Sequence, residues 1–311
     1  MLLRKNIYLY TMNYVQTYDI AEWQIAICAD SEAVCDELLP SFSVFKTERS
    51  AYPLLMTMTV DQTLTEAKES LHVKVCETGN GDIVVDRLTT PDGLSMGGYQ
   101  FQIKNLRGET CALMQSNADF TQCRCRVFGE LQNRQFGLNN AMMMAFAFAG
   151  ATHGTLLIHA SLVRHDGFGY AFIAKSGTGK STQTANWLKV IPGCDLMNDD
   201  NPVLRVKDGE VWIYGSPWSG KTPCYRQVKA PMGAITKIDR AKENYVETLH
   251  PVMAFNQLLS SCSVMKWDKP TYSGICNTVT DVVEHLTLYV LHCTAEPESA
   301  KVCYEAIRHR N

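Results

Sequence analysis

From Asn6 to about Val127 the chain alternates short apolar runs with clusters of turn residues, and beyond that point the pattern changes twice. Runs such as Ile7 to Tyr10, Trp23 to Cys28, Ile83 to Val85 and Tyr99 to Ile103 have the length and the β-branched or aromatic content of strands. Asn80-Gly81-Asp82 and Pro91-Asp92-Gly93 supply turns between them, and one helix is expected at about Ser31 to Leu39. Leu138 to Ala151 then predicts a helix, because it is rich in Ala and Met and contains no proline. It is apolar nearly all round, so it should be buried, between the two halves of the chain.

After Gly154 the pattern becomes that of an α/β protein. Leu156 to Val163 reads as one strand and Tyr170 to Ala174 as a second, joined through the Asp166-Gly167 turn. A glycine-rich loop follows, then a helix from about Lys180 to Val190 whose Ala185, Leu188 and Ile191 should face a sheet. Pro192-Gly193 stops it. A third apolar stretch ends in Asn198-Asp199-Asp200, and Val203 to Val206 with Val211 to Tyr214 form a hairpin across Asp208-Gly209. Strand, loop, helix, strand places ligands at the carboxyl ends of strands. The expected organisation is a β-rich (α+β) domain over 1–135 and an α/β domain over 136–311.

Two segments match a phosphate-binding loop. The expression G-x-x-x-x-G-K-[ST] fits Gly215 to Thr222 (GSPWSGKT) literally, whereas Ala174 to Ser181 (AKSGTGKS) lacks its first glycine. The chemistry, however, needs backbone N–H groups that wrap phosphates, a lysine for the terminal ones and a helix N-terminus aimed at the anion. Only the first loop is followed by proline-free helical sequence; Pro223 and Pro231 forbid a long helix after Lys221, and Pro217 and Trp218 stiffen and crowd that loop. The cradle is therefore Lys175, Ser176, Gly177, Thr178, Gly179, Lys180, Ser181 and Thr182. GSPWSGKT is either a structural loop or a wall of the same site.

Asp199 and Asp200 end the strand that follows the loop's helix, which brings two carboxylates near the phosphates. Neighbouring strand residues point to opposite faces, so one carboxylate can serve a metal and the other an acceptor. His159 lies in the strand expected to pair with the one feeding the loop.

Composition narrows the classes. A chain of 311 residues with 46% apolar content can bury a core in each of two domains, and a net charge of −3 excludes the basic surface that nucleic-acid binding requires. Twelve cysteines are scattered without a C-x-x-C pair, which argues for reduced thiols rather than zinc or a disulfide framework. No signal peptide is evident at the N-terminus, and the longest apolar run, Ala141 to Ala149, falls short of the ~20 residues that span a bilayer. A cytoplasmic protein without membrane partners is expected.

The stretch IHASLVRHDGFGYAFIAKSGTGKST, followed by NDD, resembles the catalytic domain of bacterial HPr kinase/phosphorylase and the wider group with the phosphoenolpyruvate carboxykinase type of P-loop fold. The resemblance covers about residues 155–240; the segment Tyr214 to Arg226 is also similar to one in little-characterised bacterial proteins of that group. It implies an HPr kinase-like P-loop domain with a mixed sheet that uses ATP, GTP or pyrophosphate with Mg²⁺. Lys180 would contact the β and γ phosphates, Ser181 and Asp200 would hold the metal with Asp199 beside it, Asp199 would be the general base, and His159 would assist. The downstream arginine of the kinases has Arg226 as its nearest counterpart, with Lys221 as a substitute cation. The expected activity is phosphoryl transfer to a hydroxyl of a protein or small molecule. Two alternatives stand beside it, a non-catalytic nucleotide-binding regulator and a carboxykinase-like enzyme, and the resemblance hints at a homo-oligomer.

Overall fold

The computed structural model describes residues 14–89, 97–220 and 222–308, which fall into two compact units, Met1–Ala149 and Gly150–Asn311. The division lies at the end of a long helix rather than at 135. The strand expected at Ile7 to Tyr10, the turn at Pro91-Asp92-Gly93 and Lys221 lie outside the described residues.

In the first unit the described elements are β1 (Tyr14–Ile20), β2 (Trp23–Ala29), α1 (Glu32–Leu38), a 3₁₀ turn (Pro40–Phe45), β3 (Lys46–Thr47), β4 (Leu54–Val60), β5 (Ser70–Thr78), β6 (Gly81–Leu88), β7 (Gly97–Lys104), β8 (Thr110–Asn117), β9 (Gln122–Val127) and α2 (Leu131–Gly150). The strands make one mixed sheet in the order β3-β1-β2-β4-β9-β8-β7-β6-β5, parallel at β2/β4 and β4/β9. The helix α2 begins at Leu131, one to two turns before the expected start. Polar residues such as Asn133 and Arg134 do not interrupt it. Its second half is buried, with Phe148 against the Phe120 ring. Gly137 is required there, since a Cβ would meet the Cys111 carbonyl oxygen at 2.5 Å.

The second unit contains β10 (Thr155–Leu157), β11 (Ala160–His165), β12 (Phe168–Ile173), α3 (Lys180–Val190), β13 (Asp195–Asp200), β14 (Val203–Lys207), β15 (Glu210–Tyr214), β16 (Lys229–Arg240), β17 (Tyr245–Thr248), α4 (Pro251–Ser261), α5 (Lys269–His285), β18 (Leu288–Cys293) and α6 (Glu298–Ile307). Its mixed sheet runs β10-β14-β15-β16-β12-β11-β13, and β18 joins β16 with β17 beside it. The strands β12, β16 and β18 are parallel, so their carboxyl ends open on the same edge. Both hairpins, β11–β12 and β14–β15, turn on an Asp-Gly pair with positive φ at both residues (Asp166 48°, Gly167 82°; Asp208 52°, Gly209 79°), as a two-residue turn demands.

Period-two alternation gives this sheet two apolar faces. Leu162, Ala171 and Ile173 enter a core with Leu258 of α4 and Ile275, Val279 and Val282 of α5. Their neighbours Val163, Tyr170 and Phe172 enter another with Trp187 of α3 and Ala300 and Cys303 of α6.

Two expectations are corrected. The strand Leu156 to Val163 is broken at His159, where the backbone N–H leaves the ladder and donates to Ser261 O (2.7 Å). Ile191 is buried as expected, but the helix α3 exposes Ala185 and Leu188 and buries Gln183, Thr184 and Trp187 instead. Trp187 sits between Tyr170 and Phe172, and the largest apolar side chain sets the rotation of the helix. All twelve cysteines are free thiols, and no helix among the described residues is long and apolar enough to cross a membrane.

Candidate functional site

The glycine-rich loop leaves the carboxyl end of β12 and enters α3 at Lys180. Gly177 (φ 76°) and Gly179 (φ 135°) hold backbone conformations that other residues adopt only under strain, and this explains both glycines without any steric contact. Gly179 is the N-cap of α3 and offers no side-chain cap, so the first turn of that helix keeps its N–H groups available to an anion.

Lys180 points back across the loop. Its Nζ donates to Ala174 O (3.2 Å) and to His159 Nε2 (3.0 Å), and the residue is buried. Burial holds this ammonium below the usual lysine range, while Asp200 and then Asp199 push it back up. The same His159 nitrogen lies 3.1 Å from Asp200 Oδ1. The break in the strand thus places the imidazole between a buried cation and a half-exposed carboxylate.

The two aspartates have different surroundings. Asp199 is only 4% exposed, and its Oδ1 accepts hydrogen bonds from Ser161 Oγ (2.5 Å) and Ser181 Oγ (3.1 Å). Asp200 is more open, accepts from Asn201 Nδ2 (2.8 Å), and has φ 150°, a region comfortable only for glycine. Ser161 carried no sequence signal. It faces Asp199 because β11 pairs with β13 in the register Ser161↔Asp199.

The GSPWSGKT segment is not a second cradle, since no helix follows it. Its described part packs on the end of β13. Buried Asn198 donates to Ser216 O (3.4 Å), Ser216 Oγ (3.2 Å) and Trp218 O (3.0 Å), the Gly220 N–H donates to Asp199 O, and Ser219 bridges Asp200. A Cβ at Gly220 would lie 3.0 Å from Asp199 O and 3.1 Å from Asp200 Cβ. Gly220, and Gly215 whose Cβ would lie 3.1 Å from Met197 O, serve close backbone approach in the wall that positions the aspartate pair.

Arg226 is not brought to the cluster. Its guanidinium is bound by Asp195 (2.8 Å) and the Leu196 carbonyl, and Asp195 also pairs with Arg164 (2.9 Å). Asp195 precedes Asp199 by four residues, about 13 Å along a strand. Arg240, at the end of β16, is the arginine beside the loop, donating to Thr178 O (3.0 Å) and to Gly177 O. Its place follows from the parallel pairing of β16 with β12, which the sequence pattern did not reveal.

Two cavities adjoin the loop and share Thr178 and Ile238. One, of about 550 Å³, reaches His159, Ala174 and Lys175, with the Lys237–Asp239 pair (2.8 Å) on its wall. The other, of about 310 Å³, reaches Gly179, Thr182 and Arg240. Among the described residues no group of three or more His, Cys, Asp or Glu is gathered to hold a metal. Ser181 with Asp199 instead offers the hydroxyl and carboxylate oxygens that suit a hard cation completed by phosphate oxygens.

No family model matches this chain, and no curated protein matches it. Among solved structures, the HPr(Ser) kinase/phosphatase from Coxiella burnetii is similar over 48% of this chain and 95% of its own, with a TM-score of 0.30 and 8% identity. At that level the site's chemistry rests on its own residues.

Proposed function

We propose that the second unit is an ATP- and Mg²⁺-dependent phosphotransferase that transfers a terminal phosphoryl group to a hydroxyl. The observation that carries this reading is the pair of contact groups, Lys180–His159–Asp200 and Ser181–Asp199, set side by side at the mouth of a glycine loop and a helix N-terminus. Each part has a place in phosphoryl transfer, where positioning and electrostatic stabilisation dominate.

In this reading the loop N–H groups cradle the phosphates and Lys180 reaches the terminal ones. Ser181 and Asp199 would hold Mg²⁺, which when bound would offset the negative charge of those phosphates. The acceptor would approach through the cavity that touches His159. Asp200 would take the hydroxyl proton as the oxygen bonds to phosphorus and the bridging P–O bond breaks, leaving the diphosphate. Burial and partners support exchanging the two aspartate roles that the resemblance implies. Asp199 is enclosed by two serine hydroxyls, while Asp200 is more open and is held by the Asn201 side-chain amide.

The test uses the full chain with γ-labelled ATP, Mg²⁺ and fractionated cell extract. Label should appear in an acceptor fraction, and Lys180→Ala should abolish it. If wild-type protein binds ATP but labels nothing, the regulatory reading replaces this one.

A further inference from the structure

The smaller cavity touches the loop at Gly179 and Thr182 rather than at Ala174 and Lys175, where the larger one reaches His159, and that position fixes which way a donor must lie. With Lys180 drawn toward Ala174 and His159, the terminal phosphates belong at that end of the loop. Whatever the phosphates are attached to must leave past Gly179 and Thr182, into the cleft of about 310 Å³. That cleft lies at the carboxyl ends of the parallel strands β16 and β18, where Arg240-Ala241 and Thr294-Ala295 begin their loops.

One wall holds an unmatched polar group. Gln183 is 2% exposed, its Oε1 lies 2.9 Å from Ser299 Oγ, and its Nε2 has no partner. The single Ser299 hydroxyl proton is also directed at Glu296 O (2.7 Å), so either orientation of the amide leaves one of its atoms unpaired. A buried amide atom without a partner is costly, and a ligand offering hydrogen-bonding edges relieves it. The remaining surface is suited to a flat ring: Ile238, Cys293 and Ala295 are apolar, and Arg240 is pinned on the loop carbonyls at the boundary with the phosphates.

We infer that this cleft binds the nucleoside of the donor, so that the site takes a nucleoside triphosphate in preference to an inorganic polyphosphate, with Gln183 contacting the base or sugar. The inference rests on the phosphate-loop reading above but is separable from it. Calorimetry on the full chain with Mg²⁺ compares ATP with inorganic tripolyphosphate, which carries the phosphates alone. Wild-type protein should bind ATP at least about tenfold more tightly. Ala295→Trp, at an exposed position that fills the cleft, and Gln183→Leu should each reduce ATP to the affinity of tripolyphosphate and leave tripolyphosphate within about twofold of its wild-type value. Equal wild-type affinities, or an ATP preference that survives Ala295→Trp, would overturn the nucleoside cleft while leaving the phosphate loop standing. Failure of wild-type protein to bind either ligand would bring down both.

Discussion

Lys180 shows how a single group links the site to folding. Burial depresses its folded pKa below the ordinary 10.5, which the unfolded chain retains. Between the depressed value and 10.5 the unfolded state binds more protons, so stability rises with pH through that window. Urea midpoints of wild type relative to Lys180→Met should therefore climb with pH on the alkaline approach to 10.5, and a flat difference would contradict the depressed lysine. The aspartates separate by kinetics. Asp200→Asn should lower kcat by about 10²–10⁴ with Mg²⁺ dependence intact, whereas Asp199→Asn should raise the Mg²⁺ concentration required. Equal effects on both parameters from both variants would remove the distinction. Lys180, Ser181 and the aspartate pair were legible in the sequence because they lie in short contiguous patterns. Ser161 and Arg240 were not, because what brings them in is strand register and parallel pairing, and neither leaves a local mark.

At the scale of elements, α3 had its ends readable and its rotation hidden. Proline, glycine and the loop set the ends, but Trp187 decided the buried face against the Ala185 and Leu188 pattern. Trp187→Ala should cost about 3–5 kcal/mol in denaturant titrations, since it empties the space between Tyr170 and Phe172. The GSPWSGKT wall tests differently. A Cβ at Gly215 would fall 2.2 Å from Arg226 O, so Gly215→Ala should destabilise by roughly 1–3 kcal/mol. It should also lower activity, because the displaced wall positions Asp199 and Asp200 at the end of β13. The break at His159 was unreadable for a related reason. The residue that leaves the β ladder does so for a helix-end carbonyl more than a hundred positions away.

For the whole molecule, the chain's two compact units mean that ligand linkage should act on one of them. Saturating Mg-ATP at about a hundred times its Kd should add about 2.7 kcal/mol to the unit that holds the loop, seen as a rise in its melting temperature that Lys180→Ala abolishes. The strands that bury both faces of the second sheet were visible as short apolar runs, and the α/β class was read from the order strand, loop, helix, strand. Strand order was not visible, since it depends on which edges meet. The left-handed backbone of Asp200 has a consequence for how such a protein changes over generations. Asp200→Gly removes a strain of about 1–3 kcal/mol, offset by roughly 0.5–1 kcal/mol of lost chain entropy, so the variant should melt higher than wild type while being inert. Drift that selects only for a sturdier fold would erase this carboxylate, and its persistence in a lineage would record selection for chemistry.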